Sequence, residues 1–523
     1  MEHTFGKSMA WLHTWAGVVL GSLLFVIFWM GTLSVFDREI DRWMMPNTRL
    51  APSTQGISLD RIARAVSAAV PEKANQWRVD LPTERTPVLR FSARDSKGKV
   101  VTRQLDPTSY AFIPDPETEA GSGFIFPFHY GLHLKWQELG KWLVGLAGMA
   151  MLVLLVSGVL IHKKIVVQFF TFRPKKRLQR SSLDLHNLTG VIGLPFHFMI
   201  TLSGLIIFMS LYFPSAYWSG YGSGNEAKAA FTAEAYGRFT RPKANTPGPL
   251  ASLDAMMARA EREWAGGRPY FVRVWNPGDA NSYVELRRSY ARDITMNLDQ
   301  IYFDAASGEV LHRFEAAPVM TVQRFLSGLH FIQFEHWTLR WLYFLAGLSG
   351  CVMIATGFLF WLEARRARHA KKGLVGVRVV EGLTIGSVTG IIIATLAFFT
   401  ANRLLPPGSS FAGQARPVLE IATFYLVWVA CFVHAWRRPA SAWREQIWAI
   451  CVLALACVLL NAVTTGDHPV RAVSSGMWAV AGMDLMLLAL ALFAAKVARR
   501  LGRKVAHRTL RSKPVAIATE LQP

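Results

Sequence analysis

Apolar positions gather into eight runs too long and unbroken for soluble helices, at roughly residues 9 to 36, 140 to 162, 187 to 212, 340 to 362, 382 to 401, 419 to 436, 446 to 465 and 474 to 497. Each is read as a membrane span. The pattern changes after the first and third runs, where residues 37–127 and 213–324 turn polar. Both segments open an amphipathic helical pattern at Ser-Leu-Asp, residues Ser58 to Asp60 and Ser252 to Asp254. Strand-like alternation follows, in Arg78-Val79-Asp80-Leu81 and Val88-Leu89-Arg90-Phe91-Ser92, then in Phe271-Val272-Arg273-Val274-Trp275 and Ser282-Tyr283-Val284-Glu285-Leu286. Each segment closes on an Asp-led turn, at Asp106 and Asp304. These elements predict a small α+β domain in each segment.

The matches extend into the spans. Leu12-His13-x-x-x-Gly17-Val18…Gly31 overlies Leu185-His186-x-x-x-Gly190-Val191…Gly204 at a constant offset. Gly131-Leu132-His133 precedes Trp142…Ser157-Gly158, as Gly328-Leu329-His330 precedes Trp341…Thr356-Gly357. The expected architecture is therefore a polytopic α-helical membrane protein with an internally duplicated helix-domain-helix unit, both copies in the same orientation. Its parts are residues 1–36 (start and first span), 37–127 (first domain), 128–162 (histidine motif and second span), 163–186 (basic loop), 187–212 (third span) and 213–324 (second domain). Residues 325–362 form the second histidine motif and fourth span, 363–381 another basic loop, 382–497 an appended four-span bundle and 498–523 a basic tail.

Charge sets the orientation. Of a net +22, much lies in Lys163, Lys164, Arg173, Lys175, Lys176, Arg177 and Arg180, in Arg365, Arg366, Arg368, Lys371 and Lys372, in Arg437 and Arg438, and in the tail. All fall on one expected side, so the excess reads as the positive-inside signal and calls for no nucleic-acid partner. Both termini are then cytoplasmic, and the two polar domains lie in the periplasm of a bacterial inner membrane. The first span lacks a small-x-small cleavage site and is read as a retained anchor. All four cysteines fall inside spans, which leaves no thiols for disulfides or thiolate metal sites in the polar domains.

Histidines carry the candidate chemistry. His13 and His186 mark one end of the bundle, His133 and His330 the other, and His197 stands alone inside the third span. His129, four residues before His133, would share its helix face and could serve the same site, but only the first copy has it. An imidazole in lipid is costly without a partner, and matched helices presenting histidines at one depth can clamp an iron between them. Eleven residues separate His186 from His197, nearly three turns, which puts both on one face of a continuous helix. The small residues Gly17, Gly21, Gly190 and Gly193 would admit a flat macrocycle, and are equally explained by close helix packing. His162 reads as a snorkelling span end, Tyr212, Tyr217, Trp218 and Tyr221 as an aromatic belt or a substrate entry, and Arg340 and Lys141 as propionate partners or ordinary membrane-end cations. Asp484 is either functional or paired within the bundle. Neither H-E-x-x-H nor C-x-x-C occurs, which disfavours zinc, and the lack of C-x-x-C-H makes any haem non-covalent, one or two of b type.

Together the L-H-x-x-x-G openings at His13 and His186, Leu194-Pro195-Phe196-His197, Gly-Leu-His at His133 and His330 and the Asp-led turns resemble the PepSY-associated transmembrane family over roughly residues 8 to 365. The resemblance implies periplasmic PepSY-like domains, haem held by His13, His186, His133 and His330 with His197 as a further candidate, and an oxidoreductase reducing ferric siderophores or other iron complexes. Its electron donor would be a quinol or a separate reductase, and its surroundings the lipid bilayer. Two other readings stay open: a membrane protein that merely displays regulatory or binding PepSY domains, and a transporter.

Overall fold

A computed structural model describes residues 4–51, 56–95, 97–162 and 171–511. Lys163, Lys164 and the end of the basic tail lie outside the described residues. Among the described residues seven helices are long and apolar enough to cross a membrane, or eight if one bent pair counts as a single span, so the chain is a multi-pass membrane protein. Helix α1 (Phe5–Ser34) leads into the short α2 (Asp37–Met44), and α3 (Leu59–Val66) begins the polar region. A short helix, α4 (Phe126–Gly131), precedes α5 (Leu139–Ile161).

The third span breaks. Its halves, α6 (Leu178–Ile192) and α7 (Leu194–Ile207), meet at Gly193 with a 65° bend. Pro195 lacks an amide hydrogen and its ring crowds the carbonyl four residues back, and Gly193 offers no resistance to bending. The single straight helix expected to carry both His186 and His197 is thereby corrected, since the two stand on different segments. Helix α8 (Leu253–Glu263) matches α3, α9 (Pro318–Phe331) re-enters the bundle, and α10 (Trp337–Lys371) spans it. The final four long helices are α11 (Gly376–Leu404), α12 (Arg416–Arg437), α13 (Ala442–Thr465) and α14 (Trp478–Arg511).

Strands expected in two separate domains pair into one sheet. β1 (Ala74–Asp80), β2 (Leu89–Asp95), β3 (Val100–Leu105) and β4 (Phe112–Ile113) come from the first segment, and β5 (Pro269–Trp275), β6 (Tyr283–Arg288), β7 (Gln300–Asp304) and β8 (Val310–Phe314) from the second. The order β4-β3-β2-β1-β5-β6-β7-β8 joins them where β1 runs antiparallel to β5. Each four-stranded half would otherwise present its longest edge unpaired, and joining satisfies both edges at once. One face buries Trp77, Val79, Phe91, Val272, Val274, Leu286 and Phe303 under Leu59 and Ile62 of α3 and Leu253 and Met256 of α8.

The repeated Ser-Leu-Asp now has a physical role. Asp254 accepts from the Leu59 amide at 2.5 Å and the Ser58 hydroxyl at 2.6 Å, while Asp60 accepts from the Leu253 amide and the Ser252 hydroxyl, both at 2.6 Å. Each helix thus caps the start of the other. Asp254→Ala is expected to remove about 1–2 kcal/mol of local stability, read as faster hydrogen exchange at the Leu59 amide; unchanged exchange would show that the cross-cap contributes nothing.

Buried ion pairs seat the sheet on the bundle. Arg85 donates to Glu39 at 2.8 and 2.7 Å and to Asp37 at 3.2 Å, both carboxylates on α2. Asp484 accepts from Trp43 Nε1 at 2.8 Å and Asn461 Nδ2 at 3.1 Å, which ties α14 and α13 to α2. Those two bonds supply the partners that a carboxylate needs inside a span.

Candidate functional site

Four imidazoles meet in two pairs near opposite ends of the bundle. His13 and His186 have ring centroids 6.3 Å apart, at 80° to one another. His129 and His330 have centroids 6.0 Å apart with planes inclined by 23°. A metal held about 2 Å from one nitrogen of each of two facing rings places their centroids about 6 Å apart, so both separations suit a shared axial position.

Hydrogen bonds aim the rings. His13 Nδ1 lies 3.1 Å from the Leu154 carbonyl and His186 Nδ1 lies 2.7 Å from that of Met353. At the other end His129 Nδ1 meets the Ile27 carbonyl at 2.9 Å and His330 Nδ1 meets that of Ile200 at 2.8 Å. A backbone carbonyl can only accept, so the proton belongs on Nδ1 and each Nε2 keeps its lone pair, the usual arrangement of a metal-bound histidine. His129 and His330 stand on α4 and α9, outside the spanning helices. Burial pushes both below the ordinary imidazole value, for His330 to about 3 with His129 as the second cause, so both remain neutral.

Glycines make the seats. A Cβ on Gly31 or Gly204 would fall 2.7 Å from Cε1 of His129 or His330, and one on Gly158 or Gly357 would fall 3.2 or 3.1 Å from that of His13 or His186. Each ring therefore rests on a neighbouring helix where a larger residue would displace it. Ile27 and Gly31 beneath His129 stand at the same offset from Ile200 and Gly204 beneath His330 as His13 does from His186.

That register corrects the expected outer pair. His133 is not brought to His330: its Nε2 meets the Phe124 carbonyl at 3.2 Å, and its ring packs 4.8 Å from that of Phe124. The reason is where the helices stop. α4 ends at Gly131 and Leu132 turns left-handed, which carries His133 beyond the helix, whereas α9 runs on to Phe331 and keeps His330 on it. His129, one turn before His133, takes the place. The spacing offers His129 as well, since residues four apart share a helix face, and it is outweighed only because the second copy has no histidine at that place.

His197 is fully buried between the two pairs and has no imidazole partner among the described residues. Its Nε2 lies 3.3 Å from the Ala346 carbonyl and from Ser349 Oγ, and its ring neighbours are Phe28 at 5.9 Å and Phe196 at 5.8 Å. A cavity of about 510 Å³ surrounds the His13 and His186 pair, lined also by Gly17, Gly190, His162 and Arg365. Arg365, over the Trp361 ring at 4.6 Å, is a basic-loop cation in the expected scheme and stands here on α10, which continues to Lys371. The smaller outer cavity, about 130 Å³, takes in His129, His330, Phe196 and Tyr212, and Leu24 and Met151 wall both spaces. Among the described residues no group of three or more His, Cys, Asp or Glu could hold a bare metal ion.

The other candidates have local partners. Lys141 pairs with Glu138 at 2.6 Å and Arg340 donates to the Ile332 carbonyl at 2.6 Å. Tyr212 donates to the Lys141 carbonyl at 2.8 Å, and Tyr217 stacks on Phe231. The appended helices clamp α4: Phe424 packs 5.0 Å from Phe124 and 5.5 Å from Phe128, and the Tyr425 hydroxyl donates to the Leu132 carbonyl at 3.3 Å.

These helices define a polytopic α-helical membrane protein that buries two facing histidine pairs. The chain belongs to the family described as the PepSY-associated TM region, which matches residues 10–364, from α1 into α10, and none of α11 to α14. The uncharacterised protein PA4219 of Pseudomonas aeruginosa is 29% identical over 339 residues, covering 61% of this chain and 81% of that protein.

Proposed function

We propose that the protein is a haem-containing reductase of the bacterial inner membrane, built from a duplicated helix-domain-helix unit, which passes electrons outward to a periplasmic ferric complex such as a ferric siderophore. The observation that carries this reading is the pair of imidazole separations, 6.3 and 6.0 Å, each with Nδ1 tied to a carbonyl. Haem, when bound, supplies one-electron chemistry between ferric and ferrous iron. The chain's own residues do the rest. His13 and His186 would hold the group nearer the basic loops, with Arg365 available for its carboxylates, and His129 and His330 the group beneath the sheet. His13 and Ile27, the contact of His129, stand about 21 Å apart along α1, which separates the two sites across most of the apolar thickness. Between them lie apolar side chains, Leu24 and Met151 walling both cavities and the Phe28 and Phe196 rings lining the outer one. The electron donor is a quinol or a separate reductase meeting the basic side.

The purified protein is expected to show a Soret band that shifts on dithionite reduction and a pyridine haemochrome count of two b haems per chain. The double variant His13→Ala and His186→Ala is expected to retain one. Colourless protein after expression with ample haem would sink the reading, and an undiminished count in the double variant would sink the inner assignment.

A further inference from the structure

The sheet face away from its apolar core gathers positive charge. Arg78 of β1 stands directly opposite Arg273 of β5, where like charges normally weaken a strand pair. Both guanidiniums lie over the ring of Phe271, at 3.9 and 5.0 Å from its centroid, and Arg287 of β6 joins them at 5.6 Å. Two carboxylates answer these three cations: Asp80, 2.6 Å from Arg78, and Glu285, 3.1 Å from Arg273 and 2.8 Å from Arg287. Side-chain exposures of 27%, 17% and 28% for Arg78, Arg273 and Arg287 leave all three within reach of solutes. Burial first, then the charges of Arg78 and Arg287 acting against Glu285, draws Arg273 below its ordinary value.

A fourth cation comes from the bundle. Arg324 on α9 donates Nε to the Met296 carbonyl at 2.9 Å, and its charge bears on Arg287, Tyr270 and Tyr290. Six residues later on the same helix stands His330, about 9 Å along the axis. The four arginines carry a surplus of two positive charges over Asp80 and Glu285. Four cations gathered around aromatic rings next to a site for redox chemistry suit a polyanion: planar guanidiniums pair bidentately with carboxylates, and a low-dielectric wall strengthens the attraction.

We propose that the arginine face between the sheet and α9, formed by Arg78, Arg273, Arg287 and Arg324, is a binding site for an anionic ferric chelate whose ligand oxygens are carboxylate or phenolate. The choice of a ferric chelate rests on the reductase reading; attraction of a polyanion does not. The full-length protein, in nanodiscs of uncharged phosphatidylcholine, is titrated with gallium(III) citrate, a redox-inert anionic analogue, and with the positively charged gallium(III) complex of desferrioxamine B, following tryptophan fluorescence. The citrate complex is expected to bind at least tenfold more tightly, an advantage that shrinks in high salt. Arg78→Gln with Arg273→Gln is expected to weaken it at least tenfold, Arg78→Lys with Arg273→Lys to retain most of it, and Arg324→Gln, outside the sheet, to weaken it independently of strand pairing. Equal binding of the two complexes, or Gln variants that bind like the parent, would overturn the site. Displacement of the citrate complex by phosphatidylglycerol in the disc would reassign the face to lipid headgroups. The Soret spectrum of the same samples tests the reductase reading separately, because a colourless protein that still selects the citrate complex would fail that reading alone.

Discussion

Alanine at position 129 is expected to cost the protein one of the two haems proposed for it, whereas alanine at position 133 costs none. His129 faces His330 at a centroid distance of 6.0 Å with Nδ1 tied to the Ile27 carbonyl, so its removal leaves His330 without a counterpart. His133 stands beyond the end of α4 and spends Nε2 on the Phe124 carbonyl. Its loss removes one hydrogen bond, about 1 kcal/mol, from a segment that Phe424 and Tyr425 continue to clamp. Pyridine haemochrome counts on the two variants decide the matter: a haem lost with His133 and kept without His129 would invert the assignment. His330→Ala should reproduce the His129 result, since the two rings face one another.

Arg85→Ala is expected to destabilise the seating of the sheet by about 3–5 kcal/mol, the largest stability effect anticipated for a single side chain here. Arg85 is 6% exposed and holds Glu39 and Asp37, themselves 8% and 3% exposed. Alanine leaves two buried carboxylates with only longer contacts to cations, Arg38 3.6 Å from Asp37 and Arg340 3.9 Å from Glu39. The uncompensated charge accounts for most of the loss, so adding Glu39→Gln and Asp37→Asn should recover much of it. Thermal melting and hydrogen exchange across β1 and β5 measure both changes. A single variant as stable as the parent would show that the sheet is seated by other contacts, and a triple variant no better than the single would assign the loss to packing.

Much of this arrangement was legible before any coordinates. The long apolar runs announce the spans because an unbroken stretch of such length has no other stable environment. The constant offset between His13 and His186 announces a matched pair, since equal positions on equivalent helices reach equal depth. Ser58 and Ser252 announce two helix starts through local capping chemistry. Pro195 also announced a break in the third span, a signal that the expectation of a straight helix passed over.

The remainder depended on contacts between segments far apart in sequence. That β1 pairs with β5, so that two sets of strands share one core, follows from two edges meeting, and alternation within either segment is the same whether its edge is paired or free. The matched Gly-Leu-His tripeptides pointed to His133 because a letter match is blind to where a helix ends; one left-handed residue at Leu132 leaves His129, not His133, facing His330. Arg78 and Arg273 read as ordinary outward positions on separate strands until the sheet set them face to face. What the sequence determined by itself was therefore the set of elements and the inner histidine pair, because periodicity, capping and depth are local properties. What the tertiary structure alone decided was the joined sheet, the partner of His330 and the gathering of arginines, because each arises from the meeting of surfaces that no local pattern encodes.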